Sequence, residues 1–194
     1  DPKPILSAAA KAGFQTAMMP FPIGTAEPFA YLRAAVMQPA VIAEEFATEC
    51  GGLGLLLLAH HLGCAPLMLS GHIPTMLRHL VPLYQRLKKG APETMAFAIT
   101  EPGAGSDVED TEGGAMAHLV TTAKPVKGGF ILNGRKCFIT GAPFAKNTVI
   151  FAKTSPEKGA KGITSFIVDM SLPGVSLGKN EEKMGLHGSP TCVM

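Results

Sequence analysis

The sequence carries little charge. Asp, Glu, Lys and Arg make up 16% of the 194 residues, the net charge is +2, and runs of basic residues stop at pairs such as Lys88-Lys89. Nucleic acids and anionic membrane surfaces are bound by dense basic faces, which this composition does not provide. We therefore expect no nucleic-acid partner and no polybasic membrane anchor.

Long apolar runs are missing as well. The most apolar stretch, residues 53–58, is closely followed by His60-His61, whereas a membrane span requires about 20 apolar residues. We expect no membrane span and interpret this stretch as part of a buried core helix. The opening Asp1-Pro2-Lys3-Pro4 also lacks the charged and then apolar start of a secretory leader.

The four cysteines form no recognisable site. They stand at positions 50, 64, 137 and 192, and no two have the Cys-x-x-Cys spacing. Scattered cysteines of this kind indicate free thiols in a reducing compartment, so we expect a cytoplasmic protein or, alternatively, one of the mitochondrial matrix. His60 and Cys64 have a helical spacing that a metal can use, but zinc needs more ligands. We interpret them as a buried pair.

The composition changes character near residue 92. Before it, Ala, Leu and Met dominate and the apolar residues come in long blocks. After it, Gly, Thr, Val, Ile and Lys dominate, and short apolar runs alternate with turn residues. This order predicts an α+β chain, with an all-α domain over residues 1–93 followed by a small antiparallel β-barrel or sandwich domain over residues 94–194.

Proline and glycine divide the first half into helices, because proline suits a first turn and either residue can end a helix. The predicted elements are a helix over residues 4–12 that stops at Gly13, a loop over 14–28, a helix from Phe29 to Pro39, and a helix over 39–50 that ends at Gly51-Gly52. Two more follow, a buried helix over 54–69 with a kink or early end at Pro66, and a helix from Pro74 that is broken or kinked at Pro82 and closed by Gly90.

Short alternating runs predict strands in the second half. The predicted strands cover residues 95–100, 119–125, 130–133, 135–140, 148–153 and 163–169. We expect the second and third of them to pair. Asn133-Gly134 predicts a tight turn into the next strand, because both residue types tolerate positive φ.

A glycine-rich segment, T-E-P-G-A-G-S-D at residues 100–107, directly follows the first predicted strand. Gly103 and Gly105 allow a tight fold that brings backbone N–H groups close to a ligand, and Thr100 and Ser106 add hydroxyl donors. Such a turn suits a phosphate or pyrophosphate. The segment lacks the third glycine of a dinucleotide fingerprint and the Gly-Lys-Ser/Thr of a P-loop. The residues alone therefore leave a plain glycine turn as an open alternative.

Several motifs in one order resemble the acyl-CoA dehydrogenase family. Residues 96–107, A-F-A-I-T-E-P-G-A-G-S-D, resemble its flavin-contacting signature. Residues 133–140, N-G-R-K-C-F-I-T, resemble its second flavin-contacting strand, which often reads N-G-x-K-x-W-I-T. Residues 162–168, 173–176 and 183–191 resemble a following strand and later loops. The resemblance extends over residues 5–194 and is strongest from residue 96.

The resemblance implies a helical domain, a middle β-barrel and a C-terminal helical bundle, with FAD between barrel and bundle and an acyl-CoA thioester stacked on the flavin. The implied FAD contacts are Phe97, Ile99, Thr100, Gly105, Ser106, Phe138, Ile139 and Thr140, and Ser106 also lies near the substrate. Phe138 stands where the family usually has Trp, and this chain contains no Trp. A phenyl ring still stacks on a flavin but lacks the indole N–H.

The resemblance also implies an FAD-dependent oxidoreductase of fatty acid metabolism. In the family a base removes an α-proton from the acyl-CoA and a β-hydride passes to flavin N5. That base is a glutamate of the C-terminal bundle, so we assign no catalytic residue within these 194 residues and expect them to be inactive alone. We interpret Glu101 and Asp107 as solvated carboxylates of the glycine turn.

The implied partners are an acyl-CoA substrate, an electron-transfer flavoprotein as electron acceptor, and three further copies of the chain in a homotetramer. Two alternatives remain open at this point. An acyl-CoA oxidase or flavin monooxygenase has the same fold, and a non-catalytic scaffold for flavin or acyl-CoA has the same motifs.

Overall fold

A computed structural model describes residues 1–17, 23–26, 37–109 and 118–194. Helices come first and strands second, so the predicted α+β class is confirmed. The change from helix to strand lies between Lys88 and Thr94, and the division into two domains at residue 93 stays a prediction. The predicted helix from Phe29 and much of the predicted loop before it lie outside the described residues.

Within the described residues of the first part lie three α-helices: α1 (Lys3–Lys11), α2 (Met37–Leu69) and α3 (Ile73–Lys88). Helix α1 ends just before Gly13, whose φ of +86° is a left-handed conformation that glycine takes without a steric penalty. Helix α3 begins after His72, because the imidazole of His72 accepts the otherwise unpaired N–H of Thr75. The predicted bounds of both helices agree with these to within one or two residues.

Helix α2 is broken at Cys50, where φ is −159° and ψ is 103°. The predicted end at Gly51-Gly52 is therefore confirmed to within one residue. An early end at Pro66 and a break at Pro82 are wrong, since both prolines lie inside helices that continue past them. The alternative of a kink at each proline stays a prediction. Each proline removes one helical hydrogen bond, but its neighbour, Leu67 or Leu83, is buried in the core and holds the helix in place.

Residues 40–69 of α2 are long and apolar enough to cross a membrane, judged by length and composition only. The break at Cys50 divides this segment, and its second half packs against α1, α3 and the first strand. Leu56 is fully buried there, and Leu57 and Leu67 are each 4% exposed. This packing agrees with the buried core helix that the sequence predicts, because core helices satisfy the same length and composition test.

Where the structure describes the second part, it contains seven strands: β1 (Thr94–Ala98), β2 (Thr122–Val126), β3 (Gly129–Asn133), β4 (Ile139–Thr140), β5 (Ala145–Lys153), β6 (Ile163–Asp169) and β7 (Thr191–Cys192). Five form one sheet in the order β1-β5-β2-β3, with β6 paired to β5, and β4 pairs with β7. The sheet is mixed, which corrects the purely antiparallel arrangement expected, because β1 runs parallel to β5. The chain between them is long enough for the crossover that parallel strands need.

The tight turn of the sheet lies at Lys127-Gly128 and not at Asn133-Gly134. The predicted pairing of β2 with β3 is confirmed, and Gly128 closes their hairpin with a φ of +88°. Gly134 has another purpose, since a Cβ at this position would collide with the side chain of Thr121. The predicted strand over 135–140 therefore shrinks to the two residues of β4.

Both faces of β1 are packed. Met95 belongs to the apolar cluster formed with α2 and α3, whereas Ala96 and Ala98 belong to a second cluster that contains Ile139 and Ile150. Side chains alternate between the two faces of a strand, so one face of β1 packs against the helices and the other faces the second cluster. The strand that leads into the glycine-rich segment is thus held firmly on both sides.

His60 joins three segments of the core. Its Nδ1 accepts the N–H of Met95 at 3.0 Å, its Nε2 lies 2.9 Å from the carbonyl oxygen of Gln15, and Cys64 Sγ lies 3.8 Å from Nε2. Because Nδ1 accepts, Nε2 carries the proton and donates to Gln15. His60 and Cys64 are both fully buried, which confirms the buried pair that the sequence predicts.

Candidate flavin-facing site

The glycine turn begins where β1 ends. Glu101 N donates to the carbonyl oxygen of Ala104 at 2.8 Å, and Ala104 N donates back to that of Glu101 at 3.2 Å. The space beside Gly103 and Gly105 is open, since no atom of the described residues lies within 4 Å of a Cβ built at either position. The turn is therefore closed by its own backbone and keeps one side free for a ligand.

The second predicted segment lies beside this turn. Cys137 N donates to the carbonyl oxygen of Thr100 at 2.9 Å, which joins residues 136–138 to the start of the glycine-rich segment. The next residue, Phe138, has a φ of +59° and a side chain that is 64% exposed. A bulky residue in this conformation is an outlier that its neighbours must hold in place. The structure thus presents an aromatic ring to solvent next to Thr100.

Ile139 and Thr140 are placed differently from Phe138. The side chain of Ile139 is 1% exposed and packs in the apolar cluster with Ala98, and the contact with FAD that the resemblance implies for Ile139 stays a prediction. Alternation along the strand turns it inward, which leaves only its backbone for such a contact. The Thr140 hydroxyl is half-buried and lies 3.1 Å from the hydroxyl of Thr191.

Phe97 lies in β1, and Ile99 is the first residue after this strand. Both residues are partly exposed. The ring of Phe97 packs against that of Phe151, with centroids 5.0 Å apart and planes at 54°. This is the face of β1 opposite to Ala98 and hence to Ile139. The structure therefore brings Thr100 and Phe138 together, and it places Phe97 on the face of β1 that is opposite to Ala98.

Gly105 and Ser106 are exposed, and Asp107 links them to the next strand. One oxygen of Asp107 accepts the N–H of Gly105 at 2.7 Å, and the other accepts the N–H of His118 at 2.8 Å. These bonds, first that from His118, lower the pKa of Asp107. Asp107 thus joins the two ends of the connection over 108–118, of which residues 110–117 lie outside the described part of the chain.

Glu101 is buried, so its interpretation as a solvated carboxylate is wrong. Its side chain is 1% exposed and pairs at 2.8 Å with Lys136 Nζ, which belongs to a side chain that is 3% exposed. Burial alone would raise the pKa of Glu101, but hydrogen bonds from Lys136, Thr121 and the backbone of Val120 outweigh it and lower the pKa. The carboxylate is ionised and fully engaged.

Comparison with known proteins decides the family. The family model described as "Acyl-CoA dehydrogenase, middle domain" matches residues 96–194. The chain belongs to the acyl-CoA dehydrogenase family. The match begins within β1 and contains both the glycine turn and residues 136–140, so the resemblance seen in the motifs is confirmed.

Relatives of this family are similar along almost the whole chain. The chain is 44% identical over 191 residues to the 3-(aryl)acrylate reductase of Clostridium sporogenes, covering 98% of this chain and 46% of that protein. It is 41% identical over 191 residues to subunit CarC of the caffeyl-CoA reductase-Etf complex of Acetobacterium woodii, covering 98% and 45%. The chain thus spans about half the length of the curated relatives it matches.

A solved structure supports the fold. The acyl-CoA dehydrogenase of Bacillus anthracis complexed with FAD matches with a TM-score of 0.73 and 30% identity, over 98% of this chain and 29% of that one. The helical region followed by a mixed sheet is therefore an acyl-CoA dehydrogenase fold. The individual FAD contacts that the resemblance implies all stay predictions: Phe97, Ile99, Thr100, Gly105, Ser106, Phe138, Ile139 and Thr140.

Sequence reasoning missed the Glu101–Lys136 pair, although both residues stand in motifs that identify the family. The available signal was Lys136, which stands in a short polar segment between apolar residues. A lysine that is buried there needs a charged partner. The motifs name residue types along the chain and do not say which residues meet across it.

Proposed function

We propose that the protein is an FAD-dependent oxidoreductase that removes the α-proton and β-hydride of an acyl-CoA thioester, with this chain supplying the flavin-facing half of the site. The observation that carries the proposal is the exposed ring of Phe138, held in a left-handed conformation beside Thr100 and an open glycine turn. A flavin ring is flat and largely apolar, so such a ring offers it a stacking surface.

The residues of the site fit FAD. The open side of Gly103 and Gly105 gives a pyrophosphate room to approach the backbone, and Ser106 is exposed at the same turn. The exposed ring of Phe138 would stack on the flavin ring and exclude water from it, and the half-buried hydroxyl of Thr140 would supply a polar contact. When bound, FAD supplies the hydride acceptor. The FAD complex of the Bacillus anthracis relative supports this choice of cofactor.

Neither carboxylate of the turn serves as the base in this proposal. Glu101 is paired with Lys136, and Asp107 accepts two backbone N–H groups. The hydrogen bonds that hold these carboxylates lower the pKa of each one, which makes each a weaker base. We therefore assign the chain the tasks of binding and orienting, and leave proton removal to a residue outside it.

The test uses the whole protein, purified and mixed with saturated acyl-CoA thioesters in the absence of air. We expect a yellow protein whose flavin absorbance bleaches on mixing. A protein that neither carries nor takes up FAD would refute the proposal. Rapid reoxidation of the bleached flavin by air would indicate an oxidase or monooxygenase instead, and binding without bleaching would indicate a non-catalytic scaffold.

The reverse reaction is a second candidate. Two relatives that match over 98% of this chain carry the word reductase in their names: one is a 3-(aryl)acrylate reductase, and the other is a subunit of a caffeyl-CoA reductase-Etf complex. The same flavin face serves both directions, because the transition state is shared. Mixing the reduced flavoprotein with 2-enoyl thioesters distinguishes the two directions. If 2-enoyl thioesters reoxidise the flavin faster than saturated thioesters bleach it, the reductase is favoured.

We propose an electron-transfer flavoprotein as redox partner, which a pull-down with purified protein checks.

The homotetramer, the role in fatty acid metabolism and the cytoplasmic location remain proposals. Light scattering of the whole protein tests the tetramer, since four copies give a mass distinct from that of a monomer or dimer. Cell fractionation tests the location.

Replacing Phe138 with glycine separates stability from function. We expect the free energy of unfolding to hold or rise by up to about 1 kcal/mol, because glycine adopts positive φ without strain. FAD affinity should fall about tenfold or more through the lost stacking area. Denaturant titration and FAD titration measure the two effects. Phe138→Trp is the control that keeps a ring, and FAD binding by Phe138→Gly equal to that of the native protein contradicts the prediction.

A further inference from the structure

The Glu101–Lys136 pair lies beneath the two flavin-facing segments, with both side chains at most 3% exposed. Stability alone does not explain such a pair. Removing two charges from water is costly, and apolar residues of similar volume often stabilise a core equally well. A role in holding a particular geometry is therefore the more informative explanation to test.

The carboxylate of Glu101 collects donors from a second segment. Its Oε2 accepts the N–H of Val120 at 2.6 Å, and its Oε1 accepts the N–H of Thr121 at 3.0 Å together with the Thr121 hydroxyl. The close approach of Thr121 to Gly134 leaves no room for a side chain at position 134. One carboxylate thus joins the glycine turn to the chain that enters β2.

Lys136 joins the third segment. Its Nζ donates to Glu101 Oε1 at 2.8 Å and to the carbonyl oxygen of Ile99 at 3.0 Å. Its backbone N and O both pair with Met194 at 2.9 Å, and the next N–H, of Cys137, donates to Thr100. Residues 99–100 are therefore fixed to residues 136–137 by a side chain and by the backbone.

We propose that Glu101 and Lys136 are positioning residues that hold the Ile99–Thr100 backbone and the strained Phe138 in one register, so that FAD binds a preformed face. A preformed face loses less ordering entropy on binding and holds its ligand in one geometry. The inference rests on the proposed function. The Glu101–Lys136 pair is thereby expected to affect the affinity and geometry of the bound flavin and not only the stability of the fold.

The experiment uses the holoenzyme and its apoprotein, with the variants Glu101→Gln, Lys136→Met and both together. FAD affinity is measured by titrating the apoprotein well below its unfolding temperature, and the visible circular dichroism of the bound flavin reports its geometry. Thermal unfolding of the apoprotein reports stability separately. Glu93→Gln is the matched control. Glu93 forms an ion pair with Arg86, with 2.6 Å between their atoms, and this pair is not part of the glycine turn.

We expect each single variant to weaken FAD binding at least about tenfold, equal to 1.4 kcal/mol, and to change the flavin dichroism. Both singles should lower the unfolding temperature, because each leaves a buried charge unpaired. The double variant should recover much of that temperature without recovering FAD affinity, since the Lys136 bond to Ile99 stays lost. Glu93→Gln should lower the unfolding temperature and leave affinity and dichroism unchanged.

Recovery of FAD affinity in the double variant to within about twofold of the native value would overturn the inference, as would equal affinity loss in Glu93→Gln. If the charge variants do not fold, Thr121→Val removes one donor to Glu101, and we expect about threefold weaker binding; unchanged binding and dichroism would then overturn it. Failure of the native apoprotein to bind FAD is a separate result, because it refutes the proposed function itself.

Discussion

Replacing Gly63 with alanine is expected to destabilise the protein by about 3 kcal/mol. A Cβ at this position would lie 2.6 Å from the carbonyl carbon of Met95 and 3.1 Å from that of Ala96. Both are backbone atoms of β1, which is packed on both faces and cannot yield by a side-chain rotation. Helix α2 would have to move away from the strand, with loss of contacts along the interface.

The matched control is Gly54→Ala in the same helix. There the nearest atom to an added Cβ is the Cβ of Phe46 at 3.3 Å, and alanine favours a helix by about 1 kcal/mol over glycine. Thermal and denaturant unfolding of both variants measure the difference. Equal stability of Gly63→Ala and the native protein would show that α2 and β1 are not in direct backbone contact.

Acid is expected to unfold the protein through His60 and His61. Burial, with a contribution from His61, lowers the pKa of His60 from 6.5 to about 3, and burial lowers that of His61 from 6.5 to about 4. The unfolded chain therefore takes up these protons first as pH falls below 6.5. Stability that is complete above pH 6.5 should decline by roughly 1.4 kcal/mol per pH unit for each imidazole until the folded-state pKa is reached.

His60→Ala should cost about 3–5 kcal/mol at neutral pH, because it leaves the N–H of Met95 and the carbonyl of Gln15 without their partner and opens a cavity. His60→Gln keeps polar atoms at this place and does not titrate. In His60→Gln, the free energy of unfolding should therefore decline less steeply between pH 6.5 and 4, because only one of the two imidazoles still titrates. Denaturant titrations across this pH range measure the slope, and an unchanged slope in His60→Gln contradicts the assignment.

Prediction from sequence succeeds where the determining pattern is local. The end of α1 before Gly13, the break beside Gly51-Gly52 and the pairing of β2 with β3 all follow from glycine placement and apolar period. It fails where it allows a helix end at Pro66 or a break at Pro82, because the packing of neighbouring leucines outweighs the local preference against proline within a helix. At Asn133-Gly134 it fails because glycine serves a close approach and not a turn.

The sequence by itself determined the division into helices and strands and, through its ordered motifs, indicated the family. These features depend on residues near one another along the chain. Only the tertiary structure decided that β1 and β5 are parallel, that Ile139 points into the core, and that Glu101 is buried against Lys136. The donors to Glu101 lie 19 to 35 residues further along the chain. Glu101 and Lys136 can therefore pair only after folding has brought their segments together.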